Sequence, residues 1–163
     1  MTFLQAVLSL GGCSGPQASE SPCADVDLDT AGCGTTQLVF GASLVDAEGA
    51  NLHGVVDPAT EVNVLAVAEN PDSEPETWSS PDCLIKSWDL CDSDEWCMGT
   101  TADCFDHEEE VIAGGGSVTR LLEGTTAGSL GTGPLFATVT FWLTIDEGVE
   151  TCQVCADGVR VRR

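Results

Sequence analysis

Cysteines at positions 13, 23, 33, 83, 91, 97, 104, 152 and 155 are the residues with the most chemistry to offer. A thiol can pair as a disulfide, hold a soft metal or act as a nucleophile, and its surroundings decide which. Cys152-Gln153-Val154-Cys155 has the spacing of a redox motif, or of half a zinc knuckle completed by Cys91 and Cys97. Asp146, Glu147 and Glu150 precede it, and neighbouring carboxylates raise a thiol pKa, the wrong direction for a nucleophile. The expectation is structural, with Cys152 and Cys155 each bonded to a distant partner. Cys23, Cys33, Cys83, Cys91, Cys97 and Cys104 are the other disulfide candidates, and Cys23 has the spacing to close a short loop with Cys33.

Carboxylates and indoles come next. Asp25, Asp27 and Asp29 alternate along the chain as the first ligands of a calcium loop do. Thr30 and Thr36 stand where an EF-hand needs Gly and Glu, so the motif itself is absent and only a looser Ca²⁺ site is a candidate. Asp103 and Asp106, beside His107 and Glu108-Glu109-Glu110, form a second cation-friendly run. A solvated acidic face is the plainer reading of both. Trp78, Trp88 and Trp96, near Asp92, Asp94 and Glu95, could form a platform for sugar rings; building a small core is the commoner use of indoles. His53 and His107 are the two histidines, and neither a Gly-x-Ser-x-Gly elbow nor a phosphate-binding glycine loop occurs. The reading is that the chain is not an enzyme and carries no cofactor, with Ca²⁺ as the one candidate.

Charge narrows the partners. Against 27 Asp and Glu stand 5 Lys and Arg in 163 residues. Nucleic acid is excluded as a partner, because binding phosphate needs a basic footprint. Docking of the domain's surface on anionic lipid is disfavoured for the same reason. Arg160, Arg162 and Arg163 lie on or beside an expected last strand, Gly158 to Arg162, and read as an edge protected by charge or as partners for acidic loops.

From Thr36 the pattern takes a period of two. Leu38, Phe40, Ala42 and Leu44 alternate with Val39, Gly41, Ser43 and Val45; Val62, Val64, Ala66 and Ala68 line one face of another strand. The clearest strand has Leu135, Ala137, Val139, Phe141, Leu143 and Ile145 on one face, and Thr138, Thr140 and Thr144 on the other. One apolar face and one Thr-rich face mark a sheet packed on a single side, so this is expected to be the central core strand. Residues 69–110 break the rhythm with dense acid, and read as a long disulfide-stapled insert. Short strands with turn signals predict an all-β, antiparallel sandwich of about seven or eight strands.

The amino terminus carries a different signal. Phe3, Leu4, Ala6, Val7, Leu8 and Leu10 make an apolar run too short to span a bilayer. It ends in Leu10-Gly11-Gly12-Cys13, which resembles the lipobox of bacterial lipoproteins. That resemblance implies removal of residues 1–12 as a signal peptide, lipidation of Cys13, and anchoring in the cell envelope. Ser14 after the cysteine implies the outer membrane, facing an oxidising compartment. With Cys13 lipidated, the remaining cysteines are even in number and can all pair. No Lys or Arg precedes the apolar run, which the family's pattern has, so the true start is expected upstream of Met1. The expected organisation is a Ser/Pro/Gly-rich acidic tether over 13–34 and a sandwich domain over 35–163. Its expected role is non-catalytic, in adhesion, envelope structure or partner binding; the alternative is a carbohydrate- or calcium-binding module. A membrane through its lipid, and a glycan or protein ligand, are the partners this implies.

Overall fold

The computed structural model describes residues 21–94, 96–101, 106–145 and 148–163. The expected signal peptide, Cys13, Asp103 and Cys104 lie outside them. The strands are β1 (Val39–Val45), β2 (Gly54–Val56), β3 (Glu61–Glu69), β4 (Glu76–Ser80), β5 (Ile85–Asp92), β6 (Cys97–Thr101), β7 (Glu108–Ile112), β8 (Ser117–Thr126), β9 (Gly133–Ile145) and β10 (Gly148–Val161). A three-stranded sheet, β1-β3-β8, faces a five-stranded sheet, β2-β10-β9-β5-β6, and β4 pairs with β7 as a separate ribbon. This is the all-β sandwich that the period-two pattern predicts. All pairings are antiparallel except that of β2 with β10, which is parallel.

β9 is the central strand of its sheet, between β10 and β5. Leu135, Ala137, Val139, Phe141 and Leu143 on its inner face are each at most 1 % exposed. They meet Leu44 of β1 and Val62, Val64, Ala66 and Ala68 of β3, which belong to the same buried cluster. Trp78 of β4 fills the space between the sheets. Its ring centroid lies 5.5 Å from both Phe40 and Phe141, and those two rings are 4.7 Å apart. Its indole N–H donates to the Trp142 carbonyl at 3.0 Å, so the one polar atom of a buried ring has its partner.

Three expectations are corrected. Residues 69–110 are not an insert in the sandwich: β5 lies inside them and pairs with β9 along its length. Asp89 and Ser87 occupy its outer face, opposite Thr138 and Thr140, while Trp88 and Leu90 face the core opposite Val139 and Ala137. Asp92 is buried at 6 % exposure because its Oδ1 accepts the backbone N–H groups of Asp94 (3.0 Å) and Trp96 (2.9 Å), closing the β5–β6 hairpin. The stretch from Ser21 to Gly34 is not a free tether; it forms two 3₁₀ turns, Pro22–Asp25 and Ala31–Gly34, bonded to β10. Gly158 to Arg162 is not an edge, since β2 flanks it on one side and β9 on the other.

Phe141 is fully buried and touches both of its aromatic neighbours. Phe141→Ala should cost about 3–5 kcal/mol, read as a large drop in denaturation midpoint. A shift within the ordinary range for a surface substitution would contradict this placement of the core.

Candidate functional site

Two covalent links organise the surface around β10. Cys33 bonds Cys152, which lies on the inner face opposite Phe141; Cys23 bonds Cys155, on the outer face opposite Thr138. The chain from Ser21 to Gly34 therefore crosses the free edge of β10 as a strap, fastened on both faces. Between the bonds, Asp29 docks on the strand itself. Its carbonyl accepts the Gln153 N–H at 2.7 Å, and its own N–H donates to Gln153 Oε1 at 3.2 Å. Its carboxylate accepts the Thr151 hydroxyl and, at 3.3 Å, the Ala31 N–H. Gly32 can lie where it does because it has no side chain: a Cβ there would come within 2.7 Å of the Thr151 carbonyl and 2.8 Å of Leu143 Cδ1.

Both cysteines of the C-x-x-C thus have distant partners, as their acidic surroundings predict. Cys23 does not close a loop with Cys33, and Cys152 and Cys155 do not share a site with Cys91 and Cys97. Those two pair with each other across the β5–β6 hairpin, with Cα atoms 4.1 Å apart. The adjacent Asp92–Trp96 pair carries the ladder hydrogen bond, so the disulfide occupies the closer, non-hydrogen-bonded kind of position. Cys83 is also disulfide-bonded. Together these bonds place the chain in an oxidising, non-cytoplasmic compartment.

The strap also builds a concavity. Its first turn, at Pro22, and Pro134 at the start of β9 together line two adjacent concavities. One lobe, of about 330 Å³, is lined by Val55, Asp157, Gly158, Val159 and Arg160. The other, of about 320 Å³, is bounded by Asp25, Val26, Asp92, Ser93 and Phe136. Asp157 helps to hold the strap in place: its Oδ2 accepts the Ser21 hydroxyl and, at 3.3 Å, the Cys23 N–H.

The other predicted site residues scatter. Trp78 and Trp88 are buried, at 1 % and 7 %, and Trp96 is 51 % exposed, so no three-ring platform exists; two indoles went to the core. Asp25, Asp27 and Asp29 are exposed but do not converge: Asp29 faces β10 and Asp25 faces the groove. No group of three or more potential metal ligands occurs among the described residues. Asp106 is exposed, and the neighbouring His107 pairs with Glu109 at 3.1 Å. The residues that sequence reading missed are Pro22, Val55, Pro134 and Phe136. They come from separate segments, and the Cys23–Cys155 bond and the Asp157 hydrogen bonds that bring Pro22 to the rest carry no spacing signal. The chain matches no protein-family model, and a search of curated proteins returns no significant match.

The Thr151 hydroxyl, and after it the Ala31 N–H, hold the Asp29 carboxyl below its ordinary value of 3.8. A folded-state pKa below the unfolded one contributes stability that is complete above the unfolded value and lost as pH falls through the folded one. Asp29→Asn should therefore melt below the parent protein at neutral pH, the gap closing as the pH drops below 3.8. Melting curves across the acid range check this. A gap independent of pH would contradict it.

Proposed function

We propose that the chain is a non-catalytic envelope lipoprotein, anchored through Cys13, whose sandwich presents a groove to a partner. The observation that carries this is the strap. Lipid on Cys13 would transmit any pull into the chain just before Ser21, and the first covalent crosslink beyond it is the Cys23–Cys155 bond. Load on the anchor thus passes into β10 through a covalent link before it reaches any hydrogen-bonded ladder. That arrangement suits a domain held at a surface while bound to something else.

Distance supports the same reading. The few residues between Cys13 and Ser21 span at most about 28 Å when extended. Ser21 and Pro22 themselves line the groove, so an anchored protein would hold its groove close to the lipid surface. A diacyl anchor supplies the two chains that stable attachment needs. The outer membrane, implied by Ser14, is the proposed location.

Cys13→Ala should move the protein from the membrane fraction to the soluble fraction with its disulfides and melting curve unchanged. Retention of the Cys13→Ala protein in the membrane fraction would overturn the anchoring.

A further inference from the structure

We infer that the groove lined by Pro22 and Pro134 takes an extended peptide segment of a partner protein that carries both aliphatic and cationic side chains; this rests on the partner-binding reading above. The two lobes share Pro22 and Pro134 and so lie side by side, which fits an extended chain that reaches both better than a compact small molecule in one. Val55 is 58 % exposed in a three-residue strand. It is an exposed β-branched side chain in the lining of the first lobe, where covering it would bury apolar area.

The charges give the occupant a direction. The second lobe has Asp25 and Asp92 among its lining residues, and neither Lys nor Arg. The first has Asp157 and Arg160 in its lining together with Val55. Positive side chains of the peptide therefore belong in the second lobe and aliphatic ones in the first. The formal charge of −22 adds a long-range field that attracts cationic segments and speeds their encounter.

Two other occupants fit less well. A sugar needs an exposed ring to stack on, and the lining offers only the half-buried Phe136. A second copy of the chain would have to offer its own cation-rich segment, Arg160 to Arg163. That segment is tied to its own fold: Val161 is 1 % exposed at the end of β10, and Arg162, just beyond, is 2.9 Å from Asp57.

The test uses the full chain and three synthetic peptides, repeats of Lys-Leu-Pro, Glu-Leu-Pro and Lys-Ser-Gly, in fluorescence titrations at low and high salt. The Lys-Leu-Pro peptide should bind at least about tenfold more tightly than either control, and Val55→Ser should weaken it by about tenfold. Asp25→Asn should weaken it mainly at low salt. Both substitutions fall on exposed side chains, and unchanged circular dichroism confirms that the variants fold. Equal binding of Lys-Leu-Pro and Lys-Ser-Gly, no binding at all, or indifference to Val55→Ser would overturn the inference, as would a glycan that binds in competition with the peptide. If chemical crosslinking in the envelope captures the same protein with the parent and with Val55→Ser alike, docking lies on another face; the groove assignment then fails while the partner-binding reading stands.

Discussion

The pairing of Cys23 with Cys155 and of Cys33 with Cys152 is the constraint on which the rest of the surface depends. The two loops are nested, with sequence separations of 132 and 119. In the chain-entropy picture, whichever bond forms first removes about 4.7 kcal/mol or more of denatured-state freedom. With that loop closed, the second bond closes only a short ring made of the strap and the C-x-x-C, which is worth about 3 kcal/mol. The pair therefore contributes less than two independent long-range bonds would. What it adds is position, because one bond lies on each face of β10 and the strap cannot pivot.

That position solves a problem of the sheet. β2 covers the outer edge of β10 only over Val159–Val161, and an open edge invites pairing with other chains. The strap covers part of the remainder, with Asp29 taking the Gln153 N–H. The same placement brings Pro22 into the lining of the groove beside Pro134. Edge protection and the wall of the groove thus share one set of bonds, and in the proposed anchored form the path of force would share it too.

The sequence makes the sandwich legible where burial is one-sided. β9 alternates cleanly because its inner face packs and its outer face carries Thr. β5 is harder to read, because a register shift between Ile85 and Ser87 interrupts its alternation and Asp92 is buried through hydrogen bonds that no periodicity reveals. The fate of the C-x-x-C follows from its acidic neighbours, but its partners do not follow from spacing, since eight cysteines allow many connectivities. Two indoles went to the core because an indole buried beside Phe40 and Phe141, as Trp78 is, stabilises more than one left in water. The groove was hidden for a geometric reason: its walls come from segments far apart in sequence.

The most direct measurement is disulfide mapping by mass spectrometry, under non-reducing conditions, of protein taken from its native compartment. The strap arrangement predicts peptides that link Cys23 to Cys155 and Cys33 to Cys152. A peptide linking Cys23 to Cys33, or alkylation of Cys152 and Cys155 as free thiols, would contradict it.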